Sequence, residues 1–137
     1  MSHALPRVLF VCVENSNRSQ MAEAFANMHG TNVVESFSAG SKPSGVVNPR
    51  AVAAMRDRGY DLSTHTSKSL NDVPQNQYEY VVTMGCGDAC PWIPAAYRED
   101  WDLADPRHMN DVDLAKVRDD IERRVVSLLQ RISTHVP

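Results

Sequence analysis

The 137-residue chain lacks most of what marks specialised protein classes. It has only three cysteines, an odd set for structural disulfides. In a reduced compartment, thiols of that kind do chemistry, bind metal or simply pack. There is no excess of basic charge: 14 Lys and Arg face 17 Asp and Glu, for a net charge of -3 and a pI near 5.9. That excludes a nucleic-acid binder held by a broad basic face, although a local pocket on an acidic protein can still be positive. No apolar run approaches the ~20 residues needed to cross a bilayer. Met1 to Pro6 is too short and too polar for a signal peptide, so a cytoplasmic protein with no membrane partner is expected. Repeats, low-complexity tracts and long linkers are absent as well, leaving one expected domain over residues 1–137, long enough to bury a core without staples.

What is present is an alternation of strand and helix signals. Val8-Leu9-Phe10-Val11 is a continuous apolar run of the kind buried on both faces of a sheet. A polar turn follows, then Met21, Ala22, Phe25 and Met28 fall on one helical face closed by Gly30. Val33 to Ser38 reads as a second strand stopped at Ala39-Gly40, and Asn48-Pro49 as a helix start with Gly59 as its end. Tyr78 to Met84 reads as a third strand and Trp101-Asp102-Leu103 as a short fourth. Leu114, Val117, Ile121, Val125, Leu128 and Ile132 predict a long C-terminal helix. The pattern predicts an α/β fold: a four-stranded parallel sheet flanked by helices, with ligands at the carboxyl ends of the strands. The rings of Trp92 and Trp101 read as packing. His29, His65 and His108 read as capping or surface groups, and Arg118, Arg123, Arg124 and Arg131 as a solvated face.

The most informative segment is Cys12-Val13-Glu14-Asn15-Ser16-Asn17-Arg18-Ser19. A loop of that length between a strand and a helix can wrap a tetrahedral anion with backbone N–H groups from Val13, Glu14, Asn15, Ser16 and Asn17. The helix start adds its positive end, and the Arg18 guanidinium can hold two oxygens. These donors favour the thiolate of Cys12, the form that acts as a nucleophile. Ser19 is placed to hydrogen-bond the Cys12 sulfur, and Asn15 tolerates a left-handed conformation while tying the loop together.

A second loop, Gly85-Cys86-Gly87-Asp88-Ala89-Cys90, places two thiols four positions apart. On a helical turn their Cα atoms come within ~6 Å, inside disulfide range, and the glycines allow rearrangement. The same pair with His108 is half a zinc site without its second half, or two packed cysteines. Asp105-Pro106 reads either as a turn or as an acid on a stiffened loop.

The octet resembles the catalytic loop of the low-molecular-weight protein tyrosine phosphatase fold. Within that fold the chain is similar to the arsenate reductases coupled to thioredoxin or a related thiol donor. The likeness covers almost the whole chain: Arg18 to Glu23, Ser38-Ala39-Gly40, Gly45 with Asn48 to Ala51, His65-Thr66-Ser67, Val81 to Met84, and Trp101 to Pro106. The resemblance implies arsenate as substrate, with phosphate or sulfate as analogues, and Asp105 as the general acid. It also implies a relay in which Cys86 attacks Cys12 and Cys90 resolves the bond. The resemblance implies thioredoxin or a low-mass thiol as reductant; the Cys86–Cys90 spacing is shorter than in the thioredoxin-coupled branch, which gives the alternative of one idle thiol and a small-molecule thiol as reductant. No organic cofactor or metal is implied. Some relatives bind a cation through Asn15, Glu23 and Ser38, and Lys68 stands here where a further acid would. Two departures set the chain apart from phosphotyrosine enzymes. Arg107 and His108 follow the Asp-Pro where those enzymes carry aromatics, and no aromatic lies between Phe37 and Tyr60. Glu14 replaces a common Gly and is expected to point outward; Asn17 replaces a common Cys. The rival reading is a phosphatase that uses Cys12, Arg18 and Asp105 alone.

Overall fold

A computed structural model describes residues 5–85 and 92–135. Cys86 and Cys90 lie outside the described residues, and so do the readings that rest on them. The sheet has four parallel strands in the order β2-β1-β3-β4, with β1 at Arg7–Cys12, β2 at Glu35–Gly40, β3 at Tyr78–Thr83 and β4 at Ala95–Asp100. The α-helices among the described residues are α1 (Arg18–His29), α2 (Pro49–Arg56) and α3 (Asp111–His135). The chain passes from β1 to β2 on one side and returns to β3 on the other. The crevice above the carboxyl end of β1 is therefore the topological switch point, where such sheets bind ligands.

The local chemistry explains the elements. β1 is buried on both faces: Val8 and Phe10 join the larger core with α1 and α3, while Leu9 and Val11 join a smaller cluster with Val73, Tyr78 and Val81. Helix α1 is buried well beyond its expected stripe, Ser19, Gln20, Ala24 and Ala26 included, because it lies between the sheet and α3. Asn48 caps α2 by accepting from the Arg50 N–H, with Pro49 at the first helical position. The long stripe of α3 is core as expected, with Leu114, Ile121, Val125, Leu128 and Ile132 buried.

Four expectations need correction. The fourth strand is Ala95–Asp100, not Trp101 to Leu103. It is an edge strand paired only with β3 and largely exposed, so it carries charge rather than an apolar run. Tyr97 stacks on Tyr80 across the pair at 5.0 Å, and Glu99 holds Arg131 of α3 through both carboxylate oxygens at 2.9 and 3.2 Å. Trp101 and Leu103 are instead buried coil beyond that strand. The second strand does not stop before Ala39-Gly40 but runs through them, since they pair with Val11 and Cys12. Arg118 is not on a solvated face: it is buried and donates to the Ala54 carbonyl of α2 at 2.9 Å. Trp92 does not pack in the core; its ring is 70% exposed, with the Arg98 guanidinium 4.8 Å above it.

Candidate functional site

The carboxyl ends of β1, β3 and β4 meet around a pocket of about 340 Å³. Cys12, Val13, Glu14, Ser16, Asn17, Arg18, Gly85, Leu103, Asp105 and Arg107 line it. Cys12 ends β1 with its side chain in the core, 4% exposed and carrying a free thiol. Its Sγ lies 2.8 Å from the Ser19 Oγ, the contact expected from the octet.

The loop above the thiol is held from outside. The Val13 carbonyl accepts from the Lys42 N–H at 2.8 Å, and the Glu14 carbonyl from the Ser44 N–H at 3.1 Å and the Ser67 hydroxyl at 3.0 Å. The Asn15 carbonyl accepts from Gln20 Nε2 at 3.1 Å, and the Ser16 carbonyl from the Asn48 N–H at 3.0 Å. In a planar trans peptide the C=O of one residue and the N–H of the next point in opposite directions. Four carbonyls turned into the surrounding protein thus turn the N–H groups of residues 14 to 17 toward the pocket. That is the inward donor ring an oxyanion needs.

Asn15 is the keystone. It is fully buried with φ at 50°, the left-handed conformation Asn tolerates. Its Nδ2 donates to Ser19 Oγ at 2.8 Å, while its Oδ1 accepts from Gln20 Nε2 and from the Lys68 N–H, each at 2.8 Å. The Asn15 side chain therefore points away from the pocket and supports it, whereas Val13, Glu14, Ser16 and Asn17 line it. Gly40 makes this approach possible, because a Cβ there would stand 2.5 Å from the Val13 oxygen and 2.9 Å from the Asn15 nitrogen.

Arg18 opens α1 and spans the site: its Nη1 donates to the Leu103 carbonyl at 2.9 Å. Gly85 (φ 72°) completes the crossing, since a Cβ there would press on both Arg18 Nη1 and the Leu103 oxygen. Asp105 lines the same pocket on a short 3-10 turn over Pro106–His108, and its Oδ1 caps that turn by accepting from the Arg107 N–H at 3.0 Å. The sheet thus brings Cys12, Arg18 and Asp105 together, while His108 is exposed and lines no part of the pocket.

A second layer, to which the sequence reading gave no part in supporting the loop, stands behind Asn15. The Gln20 amide donates to Asn15 and to the Thr66 carbonyl, so its Oε1 accepts from His65 Nδ1–H at 2.9 Å. The His65 Nε2 then accepts from the Tyr60 hydroxyl at 2.6 Å, Tyr60 from Asn27 Nδ2 at 3.1 Å, and Asn27 from the Ser36 hydroxyl at 2.7 Å. His65 is thus no surface group; its side chain is 9% exposed. Burial pushes its pKa down, opposed by the nearby Glu23 carboxylate and helped by the Lys68 ammonium. The sequence holds no plain signal for this layer, because Gln20 shares its helix face with Glu23, Ala24 and Asn27 rather than with the apolar stripe. Beside it, Glu23 Oε1 accepts from the Ser38 hydroxyl at 2.5 Å and faces the Lys68 ammonium at 3.6 Å. The lysine ammonium thus stands among the groups considered for a cation, and no cluster of metal-ligating acids, thiols or imidazoles is found among the described residues.

Residues 7–137 match the family model described as low molecular weight phosphotyrosine protein phosphatase. The chain belongs to this family. It is 36% identical over 132 residues to the glutaredoxin arsenate reductase of Synechocystis sp., covering 94% of this chain and 100% of that protein. A solved structure described as an arsenate reductase in the phosphate binding state is 36% identical, with a TM-score of 0.86 over 93% of this chain and 99% of that one. The thioredoxin-dependent arsenate reductase of Corynebacterium glutamicum is 33% identical, with a TM-score of 0.80 over 98% of this chain and 64% of that one. The four-stranded parallel architecture expected from the sequence is thus the family's fold. Among the described residues no helix is long and apolar enough to cross a membrane.

Proposed function

We propose that this member of the phosphatase family reduces arsenate to arsenite, the whole chain serving as one catalytic domain. The observation that carries the reading is the pocket itself. A buried thiol lies beneath a ring of inward N–H groups, Arg18 and Asp105 flank it, and no aromatic side chain is among the described residues that line it. It has the chemistry for a small tetrahedral oxyanion, and its described residues supply no aromatic wall for a phosphotyrosine ring. Relatives named arsenate reductase at 36% identity over nearly the whole chain support the same substrate.

In this mechanism the loop N–H groups and Arg18 bind arsenate and neutralise its charge. The Cys12 thiolate, stabilised by the Ser19 hydroxyl, attacks arsenic, and Asp105 gives a proton to the departing oxygen, which leaves as water. Cys86 as a thiolate then attacks the Cys12 sulfur. The S–As bonding pair stays on arsenic, which leaves as arsenite, two electrons richer, and a Cys12–Cys86 disulfide forms. Cys90 attacks Cys86 and releases the Cys12 thiolate, and an external thiol protein or low-mass thiol reduces the Cys86–Cys90 bond. The protein works in the cytoplasm, where such reductants are held.

Single turnover tests the reading. Fully reduced protein is mixed with excess arsenate and no reductant. The expected result is about one arsenite per chain, a Cys86–Cys90 disulfide and a free Cys12. Arsenite without that bond would place the second thiol outside the chain; no arsenite would sink the reductase. The family's own description favours one other reading, a phosphatase using Cys12, Arg18 and Asp105. Reductant-independent turnover of an aryl phosphate that outpaces arsenate reduction would establish it.

A further inference from the structure

The anion loop carries a carboxylate of its own, Glu14, where a negative charge should repel an oxyanion. The fold answers it from 93 positions away. Arg107 Nη2 hydrogen-bonds Glu14 Oε2 at the pocket and stands 4.0 Å from Asp105 Oδ2, and all three residues line the pocket. Arg107 is half exposed. It emerges from the same turn as the candidate acid, which places it beside the leaving oxygen of any bound anion.

We propose that the Glu14–Arg107 pair is a rim clamp that selects a free inorganic oxyanion over its organic esters, with Arg107 as the specificity-determining residue. The proposal rests on the arsenate reading and adds to it what sets the substrate class. Three physical arguments carry it. Arg107 cancels the Glu14 charge at the rim, so the pocket as a whole keeps the cation of Arg18. The guanidinium has five donors in a rigid fork, so it can keep one edge on Glu14 and present another to an incoming oxygen. Finally, in inorganic arsenate or phosphate the oxygen beside Asp105 is charged or protonated and welcomes a cation, whereas in an ester it carries an organic group. A hydrated guanidinium at that place disfavours an apolar group, which would have to displace its water and leave it unpaired.

The experiment has a binding arm and a selectivity arm. In the first, reduced protein is treated with iodoacetamide, and alkylation of the Cys12 peptide is followed by mass spectrometry against inorganic phosphate. Arg107→Ala is expected to weaken phosphate protection roughly three- to tenfold, the scale of one partly exposed charge-assisted hydrogen bond. That loss shrinks at high salt, where exposed charges are screened. Glu14→Gln is expected to strengthen protection. In the second arm, the ratio of kcat/KM for an aryl phosphate to that for arsenate rises in Arg107→Ala, and Arg107→Lys recovers only part of the loss because a point charge lacks the fork. Unchanged protection and an unchanged ratio in Arg107→Ala would overturn the clamp. A wild-type protein that binds phosphate yet leaves arsenate unreduced would overturn the functional reading instead, and the binding arm alone would then decide the clamp.

Discussion

Two loops face each other across the pocket and are built in opposite ways. The anion loop, residues 12–19, is locked from behind: Asn15 is fully buried, and four consecutive carbonyls are engaged by residues of other segments or of α1. The acid loop after β4 is anchored by buried Trp101 and Leu103, but beyond them it reaches solvent. The Asp105 side chain is 52% exposed and its ties are a turn cap and the Arg107 pairings. The difference separates two tasks. Anion binding demands a donor ring fixed before the ligand arrives, because stabilisation is greatest when no reorganisation is needed. On the proposed function, proton delivery and leaving-group selection fall to the more exposed arm. Substitution of Asn15, which locks the first loop, should therefore damage stability and activity together, and substitutions of Asp105 and Arg107 in the second should change activity alone.

The comparison is broken most severely at the nucleophile. Cys12→Ser is expected to abolish turnover while the fold survives, since the replacement is nearly isosteric and Ser19 still has a partner; arsenite release and circular dichroism would check both halves. Next comes the acid arm. Asp105→Asn should lower kcat by about 10²- to 10⁴-fold, the usual share of a general acid, with a change in unfolding free energy within about 0.5 kcal/mol. A loss of stability comparable to that of a core mutant would show the acid loop to be as locked as its partner. Asn15→Ala sharpens the contrast from the other side. It removes three side-chain hydrogen bonds from a buried site and places Ala at positive φ. A cost of about 2–4 kcal/mol in denaturant unfolding is expected, together with loss of phosphate protection of Cys12.

The smallest effect concerns the second layer. His65 has its pKa lowered by burial, so the folded state takes up its proton less readily than the unfolded chain. Stability is then fully present above the ordinary imidazole value of about 6.5 and falls as the pH drops below it, toward the depressed folded value. Thermal unfolding at pH 7.5, 6.5 and 5.5 should show this decline, and His65→Gln should flatten it. A slope identical in the two proteins would remove His65 from the account.

What the sequence by itself determined is whatever is contiguous or periodic. The octet from Cys12 to Ser19 places a thiol, a guanidinium and the left-handed Asn within eight residues, so the loop that lines the pocket was legible without a fold. The helices declared themselves through apolar spacing and through Asn48-Pro49. Tertiary structure alone decided the rest, because those features depend on what lies across the sheet. Edge strand β4 has no apolar signature, since only one side of it is paired. Arg118 and His65 look like surface residues until α2 and α1 cover them and supply their hydrogen bonds. The link from Arg18 to the Leu103 carbonyl spans 85 positions and that from Glu14 to Arg107 spans 93. No local pattern encodes such a pairing; it exists only where parallel strands deliver their carboxyl ends to one edge.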